Sequence, residues 1–158
     1  MNVLYITQGL PGSGKSTLAL ALAGGNEEAI CCTDDYPSLY TFSDDGLVTT
    51  FNGMEPDEEF GVRIAAAHQW NQRSAKHLME IGVEKIVIAN TNTQRWEFQY
   101  YLDLAEEFGY RVTVVSIFDG GCTDDELVGR NAHGVPLHAI QAMRARFQHN
   151  WKDGSKTR

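Results

Sequence analysis

Gly9, Gly14, Lys15 and Ser16, within the run GLPGSGKST, fit the spacing G-x-x-x-x-G-K-[ST]. Glycines at these points let consecutive backbone N–H groups converge at the start of a helix, where an anion is favoured. A lysine then neutralises the outer phosphates, and a hydroxyl ligates Mg²⁺. Pro11, Gly12, Ser13, Gly14, Lys15, Ser16 and Thr17 are therefore the expected nucleotide contacts. Ser16 is the expected metal ligand, and ATP with Mg²⁺ is the implied cofactor pair. The loop alone leaves three classes open: a motor ATPase, a nucleotide-dependent switch and a kinase.

Carboxylates elsewhere narrow the choice. In-line transfer to a hydroxyl asks for a base that takes its proton, and Asp34 and Asp35 follow a second apolar run, Ala29 to Thr33. Neighbouring strand residues point in opposite directions, so one of the pair faces the phosphates; the other reading is an Asx-type turn ahead of Tyr36-Pro37. A third run, Lys85 to Ala89, ends in Asn90-Thr91-Asn92-Thr93. Motor ATPases end that strand in acidic residues, so its polar end favours transfer over hydrolysis. Asn92 or Thr93 suits a helix cap, and a cap leaves Asn92 compatible with a substrate contact.

Transfer also calls for cations around the migrating group. Residues 1–126 hold 7 of the 13 Lys and Arg but 20 of the 21 Asp and Glu, so residues 127–158 form a basic segment on an acidic body. Arg130, just before Asn131-Ala132-His133-Gly134, is the candidate lid arginine and joins Asp34 and Lys15 as a catalytic candidate. His133 is assigned to phosphate or ribose. Arg144 and Arg146 read as an exposed basic face of the final helix. Arg63, Trp70, Arg73 and His77 share one helical stripe. The stripe is either a half-buried tryptophan with solvated neighbours or a platform that stacks a base and pairs its phosphates. In the second case Arg63 and Trp70 join Asp35 and Asn92 as substrate contacts.

These groups need a scaffold that alternates strands with helices. Asn2 to Thr7 predicts a strand, Ser16 to Ala23 a helix, and Asp-Gly within Tyr40 to Phe51 a small β-hairpin. A long helix starts at the acidic stretch 56–59 and runs to Gly82. A second amphipathic helix is stopped by Gly109, followed by a strand from Val112 to Phe118 and a short helix from Thr123 to Arg130. The last helix begins at Pro136 and uses Leu137, Ile140, Met143, Phe147 and Trp151. The pattern predicts a three-layer α/β P-loop NTPase fold with a mostly parallel sheet, the hairpin as an insertion and a C-terminal helical lid. At 158 residues the chain suits one domain over 1–151 and a polar tail over 152–158. Three cysteines, two of them adjacent, match neither a disulfide framework nor a zinc site. No apolar run reaches membrane-spanning length and the N-terminus lacks a signal-like basic region, so a cytoplasmic location is expected.

In order along the chain, GLPGSGKST, CTDDYP, NTNTQRWE and RNAHGVP resemble the motifs of the polynucleotide kinase family. The likeness is to the P-loop kinase domain of phage 5′-end-healing enzymes and their small AAA-type relatives, and it covers nearly the whole chain. It implies that Asp34 is the general base, Lys15 and Ser16 serve phosphate and Mg²⁺, Arg130 is the lid arginine, and DNA or RNA is the partner. Two positions depart from the phage pattern. Pro37 stands where those enzymes carry an arginine that grips a substrate phosphate, and Asn90 stands where they carry an aspartate. The acceptor is therefore a polynucleotide 5′-hydroxyl, a hydroxymethyl group on a modified DNA base such as 5-hydroxymethyluracil, or a free nucleoside or other small molecule. A regulatory ATP-binding module is the competing class.

Overall fold

The structure is a computed structural model, in which residues 1–36 and 60–153 are described. The expected hairpin, Pro37, the acidic stretch 56–59 and residues 154–158 lie outside the described residues.

Four short strands pair in parallel in the order β2-β3-β1-β4, with β1 (Val3–Gly9) and β3 (Lys85–Ile88) at the centre. β4 (Arg111–Phe118) flanks β1, and β2 (Ile30–Cys31) flanks β3. The central strands are almost wholly apolar because helices cover both of their faces. Register divides their side chains by twos: Leu4 and Ile6 lie beside Ile86 and Ile88, while Tyr5 lies beside Val87.

The crossovers choose the faces. The chain moves one way from β1 to β2 through α1 (Lys15–Leu22), then back through α2 (Phe60–Glu80) and α3 (Arg95–Phe108) to β3 and β4. Right-handed connections place opposite movements on opposite faces. Accordingly Ala19 and Ala23 of α1 pack on Val87 and Ala89. Ala75 and Met79 of α2, with Phe98, Tyr101, Leu104 and Ala105 of α3, cover Leu4, Ile6, Ile86 and Ile88. A third cluster joins α4 (Asp124–Arg130) and α5 (Leu137–Arg146) to the end of β1 through Leu10, Leu127, Ile140 and Phe147. Because the connections from β1 and β3 leave in opposite directions, the crevice between their carboxyl ends is the place for a ligand.

Two expected boundaries move. The second strand was expected over Ala29 to Thr33, but only Ile30–Cys31 pairs, and Thr33–Asp35 curl into a 3₁₀ turn. The last helix stops at Arg146, so Phe147 and Trp151 are not part of it. The buried Gln148 breaks it: its N–H donates to the Thr93 carbonyl (2.7 Å), and its side-chain carbonyl accepts from Arg95 N–H (2.8 Å) at the start of α3. Trp151 then packs edge-on against Phe98 of α3.

Candidate active site

The loop after β1 is braced from both neighbours. Gly9 N–H donates to the Thr91 carbonyl (3.0 Å) and Leu10 N–H to the Phe118 carbonyl (2.8 Å). Gly12 and Gly120 show why side chains are excluded around it. Gly12 has φ of +82°, and a Cβ there would meet the Leu127 carbonyl at 2.8 Å and Arg130 Cβ at 3.2 Å. Gly120 follows β4 with φ of +63°, and its Cβ would come within 2.4 Å of the Ser13 carbonyl. The phosphate loop is therefore wedged between the end of α4 and the turn after β4. Ser13 is buried, and its Oγ has no hydrogen-bond partner among the described residues.

Lys15 opens α1 and donates from Nζ to the Leu10 carbonyl (3.0 Å). Burial pulls its pKa down to about 8, while the charge of Asp34 opposes the fall. A buried ammonium at the positive end of a helix is destabilised twice over. Phosphate would relieve both effects. Ser16 and Thr17 are exposed on the same first turn.

Asp34 and Asp35 sit in the 3₁₀ turn, not in a strand, so their directions do not follow strand alternation. Asn90 holds this turn: its Oδ1 accepts from Thr33 N–H (3.0 Å) and Thr33 Oγ1 (3.1 Å). Only its carbonyl oxygen is used, a job a carboxylate could also do. Asp34 Oδ2 lies 3.4 Å from His133 Nε2 and 3.7 Å from Cys32 Sγ. Burial first, and then Asp34, pushes the Cys32 thiol up to about 12, so it remains protonated. Burial and the neighbouring Asp34 hold the Asp35 carboxyl above its usual range, and His133 opposes them.

Arg130 ends α4 beside Gly12, with its Nη1 donating to Cys122 Sγ (3.3 Å). His133 meets Asp34, a contact the sequence did not suggest. Trp70 packs tilted against Tyr36, with ring centroids 5.7 Å apart, directly after the aspartate turn. Arg63 is half-buried two turns earlier on α2, and Arg73 and His77 are exposed further along it.

Three expectations change. Asn92 is buried and donates from Nδ2 to the Thr7 carbonyl (2.8 Å), tying β1 to the end of β3 in place of facing a substrate. Neither Asn92 nor Thr93 caps α3; the cap is Gln94, whose N–H donates to the Glu97 carboxylate (2.7 Å). Arg144 is no exposed face: it donates to Asp119 (2.7 Å), Asp124 (2.8 Å) and the Cys122 carbonyl (3.1 Å). Its hydrogen bond holds the Asp119 carboxyl below the usual range. Arg146 is half-buried, with Nε donating to Thr93 Oγ1 (3.3 Å).

Another site residue carried no motif. Gln8 is buried at the end of β1 and donates to the Asn92 (3.0 Å) and Gln148 (3.3 Å) carbonyls. An amide near the end of a strand gives no spacing signal.

Among the described residues, no group of three or more His, Cys, Asp or Glu could hold a metal, and no helix is long and apolar enough to cross a membrane. The loop's glycine clearances, the orphaned Ser13 Oγ and the strained Lys15 charge together fit a polyphosphate, with Ser16 available to a Mg²⁺ that the phosphates carry.

Comparison with known proteins agrees with this geometry. The chain is 36% identical over 153 residues to human NEDD4-binding protein 2, covering 92% of this chain but only 8% of that much longer protein. It superposes on the crystal structure of a candidate kinase from Chloroflexus aurantiacus with a TM-score of 0.59 and 18% identity, covering 91% of this chain and 78% of the other. That likeness is one of fold alone, an α/β fold with a parallel sheet. Residues 4–149 match the AAA domain family, and the chain belongs to that family.

Proposed function

We propose that this domain is an ATP- and Mg²⁺-dependent phosphotransferase that moves the γ-phosphoryl group to a hydroxyl of a nucleic acid, a polynucleotide 5′-hydroxyl before others. The observation that carries this reading is Asp34, a carboxylate in the turn that follows β2 at the ligand-binding end of the sheet, whose charge favours the protonated form of Lys15 at the start of α1. A base beside the phosphate-binding lysine is needed for transfer and dispensable for a switch.

In this mechanism Lys15 and the loop N–H groups hold the outer phosphates at the start of α1. Ser16 holds Mg²⁺, which when bound neutralises charge on the phosphate oxygens. Asp34 takes the proton of the acceptor hydroxyl as the acceptor oxygen bonds to phosphorus, and the bond to the β-phosphate oxygen breaks. Arg130, one helix end from Gly12, exchanges its contact with Cys122 for the charge developing between donor and acceptor. Asp35, Tyr36 and Trp70 line the acceptor side. Pro37, in the place of an end-gripping arginine in the resembling phage enzymes, favours a hydroxymethyl group on a DNA base as the second acceptor to test.

Incubation with γ-labelled ATP and a panel of 5′-hydroxyl DNA, 5′-hydroxyl RNA, hydroxymethyluracil DNA and free nucleosides tests the proposal. Label on 5′ ends supports it. Label confined to internal bases moves the acceptor, and ATP binding without label in any arm refutes transfer.

A further inference from the structure

We propose that His133 is a positioning residue for Asp34, tying the base to the lid. The inference rests on the transfer reading above and assigns His133 away from the nucleotide, where its motif had placed it. Its Nε2 lies 3.4 Å from Asp34 Oδ2, with both side chains a little over one-third exposed on facing walls of the crevice. The contact is an ion pair when the imidazole is protonated, and in the neutral ring Nε2 is the atom that stands opposite the carboxylate. Cys32 Sγ approaches the same Oδ2 from the strand side at 3.7 Å. Two side chains thus stand within reach of one oxygen of the carboxylate, one from the lid and one from the strand.

The loop that delivers His133 is built for the purpose. Asn131 Nδ2 donates to the carbonyls of Leu127 (3.1 Å), Val128 (3.0 Å) and Val135 (3.2 Å), while its Oδ1 accepts from Val135 N–H (2.8 Å). One amide therefore closes residues 131–135 into a ring, with His133 at its middle and Gly134 turning at φ of +68°. The root of this loop rests on the phosphate loop, because Asn131 N is 3.1 Å from where a Gly12 Cβ would stand. Displacing the phosphate loop or the lid displaces the group that aims the base.

The test uses the full chain, γ-labelled ATP and the acceptor that wild type labels, with His133→Ala, His133→Gln, Asp34→Asn and the Asp34→Asn/His133→Ala pair. His133→Ala should lower kcat roughly 10- to 100-fold, with KM for ATP changed less than about threefold. His133→Gln, which keeps a donor at similar reach, should return kcat to within about fivefold of wild type. In the Asp34→Asn background His133→Ala should cost less than about twofold more. A raised KM for ATP with kcat preserved assigns His133 to the nucleotide and overturns the proposal. So does an equal loss of kcat with or without Asp34, or a failure of Gln to restore kcat. A wild type that transfers label while His133→Ala is unaffected overturns this inference alone. A wild type that binds ATP and labels nothing overturns the transfer reading and this with it.

Discussion

Replacing Lys15 by methionine should abolish nucleotide binding and yet make the ligand-free protein more stable. Burial holds the Lys15 pKa near 8 against an ordinary 10.5. At 1.36 kcal/mol per pH unit, that opposes the charged form by roughly 3 kcal/mol at neutral pH. Methionine removes the charge, keeps most of the buried stem, and loses the hydrogen bond to the Leu10 carbonyl, worth about 1–2 kcal/mol for a charged donor. The net gain is about 1–2 kcal/mol, or roughly 3–6 °C in Tm for a domain of this size. The pH dependence gives a second check. Below pH 8 lysine is charged in both folded and unfolded chains, so the cost is fully present. Between about 8 and 10.5 the folded state sheds the proton while the unfolded chain keeps it, so wild-type stability rises with pH and the advantage of methionine shrinks. Thermal melts of both proteins without nucleotide, at pH of about 7 and about 9.5, measure it. A variant that melts below wild type at pH 7, or an offset equal at both pH values, refutes the reasoning.

Asp34→Asn should leave the affinity for ATP within about threefold of wild type while lowering transfer by roughly 10²- to 10⁴-fold, read by calorimetry and by label transfer. Gly120→Ala, more than a hundred residues from the phosphate-loop motif, should weaken ATP binding by at least about tenfold, because its Cβ would collide with the Ser13 carbonyl. Gln148→Ala should lower stability by about 2–3 kcal/mol in a denaturant titration, since it strips a buried acceptor from the first N–H of α3. Arg144→Ala should cost about 1 kcal/mol by the same measure, because its two ion pairs are partly solvated.

The scaffold was legible because its signals are local. A glycine-rich loop between an apolar strand and a helix, continuous apolar runs for doubly covered strands, and Gly109 as a helix stop all act within a few residues. Of the candidate site, the residues that chemistry and spacing single out in the sequence are Lys15, Ser16 and the aspartate pair, which stand at the start of α1 and in the turn after β2. What the sequence could not show is carried by contacts between distant segments. Gln148 ends a helix whose apolar spacing continues past it, because Thr93 and Arg95 claim its polar groups. Asn92 has the residue type of a cap and the location of a tie between strands. Arg144 and Arg146 have the same periodicity as a solvated face, and only Asp119, Asp124 and Thr93 reveal that both are engaged. The meeting of His133 with Asp34 joins residues 99 positions apart, a distance at which spacing carries no information.

The Asn131 ring also gives the protein a way to age. Deamidation would put a carboxylate, which cannot donate, where an amide now serves three carbonyls. The same hydrogen bonds hold the amide carbon away from the attack of the next backbone nitrogen, so the reaction waits for the ring to open. Aspartate accumulating at this position in stored protein would report how often the ring of hydrogen bonds opens.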